Sequence, residues 1–181
     1  MSISYDEGAK TLTLSTKASS YQMKIDEYGF LLHTYYGKKL TDEDLSYAIY
    51  YTGRGFSGNP HETGTFDRSY SLDALPQEVS CFGAGDHRIT GFKVRHENGA
   101  QALQLRVVSH EILKGKYEIP GLPASYGDDK DIRTLVVHMR DPEASVEANL
   151  YYGVFEEKDM ITRAVRIKNA GEQKICLLQA A

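Results

Sequence analysis

At 181 residues the chain is long enough for one ordinary domain with a buried core, and 41% hydrophobic against 25% charged residues is the balance of a globular protein. The formal net charge of −4 lacks the cationic excess that phosphate binding needs, so a nucleic-acid partner is not expected. No apolar run approaches the roughly 20 residues that cross a bilayer, so no membrane partner is expected either.

The N-terminal stretch has no basic segment followed by an apolar one, hence no signal peptide is read there. The two cysteines, Cys81 and Cys176, are too few and too far apart for a disulfide framework and suit reduced thiols in a cytoplasmic protein. Thirteen tyrosines and no tryptophan point towards strands, since tyrosine favours a pleated, half-buried surface.

In chain order, Leu12 and Leu14 fall two apart, as do Tyr21, Met23 and Ile25. That spacing gives each segment one buried strand face. Phe30 to Tyr36, closed by Gly37, reads as a more deeply buried strand. Asp42 to Tyr51 is the best helical candidate. Phe92, Val94 and His96 alternate, Asn98-Gly99 turns the chain, and Leu103, Leu105 and Val107 alternate again, which predicts a hairpin. Leu135, Val137 and Met139 form a strand that Asp141-Pro142 breaks. Val146, Ala148, Leu150, Tyr152 and Val154 are the longest alternation. Val165 and Ile167 lead into a turn at Asn169-Ala-Gly171-Glu, and Ile175-Cys-Leu-Leu begins a last strand.

Many short strands with polar turns and almost no helical period predict an all-β chain, an antiparallel β-sandwich. Residues 41–91 stand apart as a long irregular loop. Phe56, Phe66, Tyr70, Leu72, Leu75 and Phe82 anchor it. The run from Ile175 to Ala181 stops inside a strand, so a truncated domain with an unpaired apolar edge is expected.

Chemistry is sparse. The six histidines form no HxH or HxxxH pair and no CxxC is present, so no metal or other cofactor is expected. There is no GxSxG, and Gly83-Ala-Gly85-Asp86 is too short for a phosphate loop. A glycosidase needs two carboxylates flanking the scissile bond. Among Asp67, Asp73, Glu78, Asp86 and the Asp128-Asp129…Asp131 cluster, composition selects no such pair. Arg54, Arg68 and Arg88 sit among glycines and aromatics. Each could hold a sugar hydroxyl with its planar fork of donors or pin the loop to its own domain.

An ordered set of segments resembles the amino-terminal region of family-36 α-galactosidases. They are Gly29-Phe-Leu-Leu-His-Thr-Tyr-Tyr-Gly-Lys38, Arg54-Gly-Phe-Ser-Gly-Asn-Pro60, Asp67-Arg-Ser-Tyr-Ser-Leu-Asp-Ala-Leu-Pro-Gln-Glu78 and Phe82-Gly-Ala-Gly-Asp-His-Arg88. Ser109-His-Glu-Ile-Leu-Lys-Gly-Lys116, Gly121-Leu-Pro-Ala-Ser-Tyr126 and Tyr152-Gly-Val-Phe-Glu…Asp159-Met-Ile-Thr-Arg-Ala-Val-Arg166 continue it.

The resemblance implies that residues 1–181 are the first part of a β-supersandwich preceding a (β/α)8 barrel. It implies hydrolysis of terminal α-galactosides of the melibiose and raffinose type with retention, in a homotetramer. Both catalytic aspartates would lie on the barrel, so the chain alone is expected to be inactive. It also implies that the long loop reaches the active site of a neighbouring subunit. There Arg68 matches the family's arginine, Arg54 opens the Arg-x-Phe-Ser segment, and Gly53 stands where the family has an aspartate. Two other readings stay open: a stand-alone carbohydrate-binding module, and an assembly domain without sugar contact.

Overall fold

The computed structural model describes residues 2–41, 43–52 and 69–180. Four strands, β1 (Ile3–Asp6), β2 (Thr11–Ser15), β3 (Ser19–Ile25) and β4 (Leu31–Lys38), form one sheet in sequence order. β5 (Phe92–His96) follows, then β6 (Arg106–Lys114), β7 (Ile132–Arg140), β8 (Val146–Phe155) and β9 (Met160–Asn169). The last four form a second sheet, again in sequence order. β10 (Ile175–Ala180) returns to pair with β5. Every ladder is antiparallel.

The period-two pattern explains the packing. Leu12 and Leu14 of β2 and Met23 of β3 turn inward to meet Leu135, Val137 and Met139 of β7 and Val146, Ala148, Leu150, Tyr152 and Val154 of β8. The chain is thus an antiparallel β-sandwich, as its sequence predicted. A second, smaller cluster lies on the far side of β4. There Leu32 packs with Phe30, Ile49, Tyr70, Leu72 and Leu75. Residues 69–91 carry only isolated bridges, Leu32 with Gln77 and Cys81 with Phe92, yet they are held down by these buried side chains.

Four expectations are corrected. First, no α-helix occupies the described part of Asp42 to Tyr51, where only Ser46–Ala48 makes a single 3-10 turn. The reason is Gln22. Its amide donates to Glu43 O at 3.0 Å and accepts from Leu45 N at 2.9 Å, so the backbone is bound to the outer face of the first sheet.

Second, β4 is deeply buried only at Leu31 and Leu32. A bulge opposite Gln22 and Met23 shifts its phase, so that both His33 and Tyr36 face Tyr21.

Third, Asn98-Gly99 does turn the chain, with Gly99 at φ 85° and Asn98 Oδ1 accepting from Ala100 N at 3.0 Å. No hairpin ladder follows, because Leu103 N bonds Phe82 O and the chain crosses to the second sheet as β6. Fourth, Ile175 to Leu178 is not wholly unpaired. It lies on β5, with Leu177 and Leu178 exposed.

Candidate functional site

Gly53, Arg54 and Arg68, the residues expected to contact sugar, lie outside the described residues. The chain on either side of them is described, and it is rooted in one cluster. β3 ends at Ile25, and the turn Asp26 to Phe30 leads into β4. Asp26 closes this turn: its Oδ1 accepts from Tyr28 N at 2.9 Å and Phe30 N at 2.8 Å, while Gly29 takes a φ of 86°. The other carboxylate oxygen, Oδ2, accepts from the Tyr70 hydroxyl at 2.5 Å.

The Tyr70 ring meets Tyr28 edge-on at 4.8 Å and stacks on Tyr51 at 6.2 Å. Tyr51 and Tyr70 thus meet each other, and Tyr70 bonds Asp26. β6 braces the turn from outside. The Arg106 guanidinium lies 4.9 Å from the centre of the Phe30 ring, and Val107 N donates to Gly29 O at 2.8 Å.

Asp26 is 3% exposed, and the donors to its carboxylate from Tyr28, Phe30 and Tyr70 are neutral. Burial pushes its carboxyl above the ordinary range, against the pull of these donors. Burial, then the hydrogen bond to Asp26, pushes the Tyr70 hydroxyl far up, so it remains a donor.

Arg88, the third arginine singled out in the sequence, is a brace. Its guanidinium donates to both Asp86 carboxylate oxygens, at 2.9 and 2.7 Å, and to Leu72 O and Leu75 O at 2.9 Å each. Gln77 Nε2 also donates to Asp86 Oδ2, at 2.7 Å.

Another buried carboxylate, Glu78, joins the two sheets. It accepts from Tyr21 of β3 at 2.5 Å and Tyr152 of β8 at 2.8 Å, and pairs with Arg163 of β9 at 2.5 Å. Burial pushes both tyrosine hydroxyls well up, and the Glu78 charge adds to this. Burial works against the Arg163 charge, but Glu78 and the two tyrosines hold it in place. Beside this junction a cavity of about 350 Å³ opens between Val79, Ser80, Phe92, Leu150, Arg163 and Val165.

Neither Asp26 nor Glu78 is placed for acid, base or nucleophilic work. Both side chains are buried and the oxygens of both are occupied by protein donors, although Glu78 also lines the cavity beside the junction. Among the described residues, no group of three or more His, Cys, Asp and Glu side chains could hold a metal ion.

Asp26 drew no attention in the sequence, although Asp26-Glu-Tyr-Gly29 after a strand has the composition of an Asx turn. Glu78 could not be told from the other loop carboxylates. Nothing local marks its partners, which lie 57 and 74 positions away for the two tyrosines.

The sequence model of the glycosyl hydrolase family 36 N-terminal domain matches residues 29–181. The bifunctional α-galactosidase/sucrose kinase AgaSK of Mediterraneibacter gnavus is 47% identical over 181 residues, which are all of this chain and 19% of that protein. The α-galactosidase AgaA of Geobacillus stearothermophilus is 35% identical over 99% of this chain and 24% of its own length. The solved galactosidase domain of AgaSK superposes with a TM-score of 0.94 at 47% identity, covering 99% of this chain and 25% of that one. An AgaA variant solved in complex with raffinose gives a TM-score of 0.88 at 35% identity, covering 94% and 24%. The chain therefore spans about a quarter or less of the relatives it matches.

Proposed function

This chain belongs to the glycosyl hydrolase family 36 N-terminal domain family, and from that premise we propose that it is the noncatalytic N-terminal part of a cytoplasmic α-galactosidase. The parent enzyme would hydrolyse terminal α-galactosides of the melibiose and raffinose type with retention. Its catalytic carboxylates would lie beyond this chain, on the barrel. The contribution of residues 1–181 would be to support a homotetramer and to present the segment containing Gly53, Arg54 and Arg68 to a neighbour's active site.

One observation carries this reading: the chain aligns over its whole length with α-galactosidases, while the buried carboxylates Asp26, Glu78, Asp86 and Asp141 are all consumed in bracing. The raffinose bound by the AgaA variant supports the substrate class.

The test has two arms. The purified 181-residue chain should not hydrolyse an α-galactoside, and activity that survives removal of trace full-length enzyme overturns the noncatalytic assignment. In the full-length enzyme, Arg68→Ala should lower kcat/KM about ten- to a hundredfold, the loss of one charge-assisted hydrogen bond, with the tetramer intact. A normal kcat/KM in an intact tetramer overturns the sugar contact. Binding of a galactoside by the isolated chain would instead favour a carbohydrate-binding module.

A further inference from the structure

The turn after β5 brings together the groups of a covalent reaction that needs only water and base. An asparagine side chain can be attacked by the backbone nitrogen of the next residue, closing a five-membered imide. Glycine has no side chain to shield that nitrogen. The sequence holds four asparagines, Asn59, Asn98, Asn149 and Asn169, and only Asn98 is followed by a glycine. Gly99 has a φ of 85°, and nothing described lies within 4 Å of where a Cβ would stand. Glu97 to Ala100 are exposed and lie beyond the last β5–β10 pair, His96 with Ile175.

The bonds of the Asn98 amide favour attack at its Cγ. Negative charge builds on Oδ1 as the new bond forms, and Ala100 N already donates to Oδ1 at 3.0 Å. Among the described residues none holds Nδ2, the nitrogen that must leave. One bond opposes the reaction. Gly99 N donates to His96 O at 2.9 Å and must let go first. It is a single bond in an exposed turn, where water can replace it.

The other asparagines lack this arrangement. Asn59 precedes Pro60, whose nitrogen carries no hydrogen. Asn149 lies in the middle of β8, paired on both sides, and Leu150 after it is 5% exposed. After Asn169, Ala170 N donates to Ser145 O at 2.9 Å, and Asn169 Nδ2 itself donates to Gln173 O at 2.8 Å.

We propose that Asn98 is a site of covalent self-modification, deamidating through a succinimide in the folded protein. Solvent base removes the Gly99 N proton and the nitrogen attacks Asn98 Cγ. The Cγ–Nδ2 bond then breaks, and Nδ2 takes up a proton and leaves as ammonia. Water adds to either imide carbonyl, giving an aspartate or an isoaspartyl link. In sum one water enters and one ammonia leaves, with nothing oxidised or reduced. The product carries a new negative charge beside Glu97, on a cavity of about 440 Å³ that Glu143 and Glu172 also line. The isoaspartyl form also lengthens the backbone between His96 N and Ala100 O, which are bonded at 2.8 Å.

Full-length protein, kept folded at neutral and at alkaline pH, tests this by ion exchange and peptide mass mapping. An acidic species should accumulate, with its mass change on the peptide that carries Asn98. Conversion there should run several-fold faster than at Asn149 or Asn169 and should rise with pH. Asn98→Gln, whose longer side chain would have to close a six-membered ring, should lose that species. Conversion of Asn98 only after unfolding in urea overturns the inference, because the turn then protects the amide. So does an acidic species that forms undiminished in Asn98→Gln, or conversion at Asn149 or Asn169 that keeps pace with Asn98.

Discussion

Two buried carboxylates fasten the irregular part of this chain to its sandwich, and they do so by different means. Glu78 is 3% exposed at its side chain and is met by a guanidinium as well as two hydroxyls. Asp26 is also buried but is met by two backbone amides and one hydroxyl, all neutral donors. Glu78 draws its partners from both sheets, β3 on one side and β8 and β9 on the other. Asp26 draws its partners from its own turn and from Tyr70. The contrast teaches that a guanidinium is used where two layers are joined, and neutral donors where a single turn is tied to Tyr70.

The largest effect should come from Glu78→Ala. It strands the Tyr152 hydroxyl inside the core and removes the partner of Arg163. Breaking a buried pair costs about 3–5 kcal/mol, but Arg163 is 54% exposed and can turn to solvent, so about 2–4 kcal/mol is expected from urea unfolding. A loss below about 1 kcal/mol would show that the junction does not clamp the sheets.

Asp26→Asn should cost less, about 1–2 kcal/mol near neutral pH, because an acceptor oxygen remains and a buried charge is removed. Its size should depend on pH. Burial holds the Asp26 carboxyl above its ordinary value of 3.8 in the fold, so its stabilising contribution is full below that value. That contribution is lost as pH rises through the folded value. The stability gap between wild type and Asp26→Asn should therefore narrow on going from pH 3.8 upward, read by thermal melts across that window. A gap that widens instead would mean that the donors outweigh burial.

Tyr70→Phe follows at about 1 kcal/mol, the usual net value of one hydrogen bond.

The smallest stability effect should come from Cys176→Ser, within about 0.5 kcal/mol, since the thiol is exposed. Its use is to leave Cys81 as the single reporter. Burial pushes the Cys81 thiol up to about 12, so in the native chain it should resist alkylation at neutral pH. Cys81 lies three positions after Glu78, so Glu78→Ala should expose it to alkylation and Asp26→Asn should not. Equal labelling in both variants would erase the distinction between a clamp on the sheets and a clamp on one segment.

Much of the fold was legible in the residues. Period-two alternation located β2, β3, β5, β7 and β8, because each has one face in the core, and Asp141-Pro142 marked the β7–β8 connection. There Asp141 accepts from Glu143 N and Ala144 N and also holds Gln104 N. β6 was hard to read because an edge strand with most of its residues exposed needs no alternation. At Asp42 to Tyr51, the best of few helical candidates, the described part makes only one 3-10 turn, with Gln22 bonded to its backbone at Glu43 and Leu45. Of the candidate site, Arg88 was legible as an arginine in a loop, but whether it braces or binds depended on Asp86 and two carbonyls being within reach.

The sequence by itself determined that this is an all-β sandwich chain, because hydrophobic period and turn chemistry act between near neighbours. The ordered motifs also carried the family. Only the tertiary structure decided which acidic residues are buried and why. Asp26 with Tyr70 and Glu78 with Tyr21, Tyr152 and Arg163 are pairings across 44 to 85 positions, and only the packed sheets bring them within bonding distance. The return of β10 to β5 was decided the same way. Backbone donors and acceptors seek whichever edge the rest of the fold leaves open, and no local pattern names that edge.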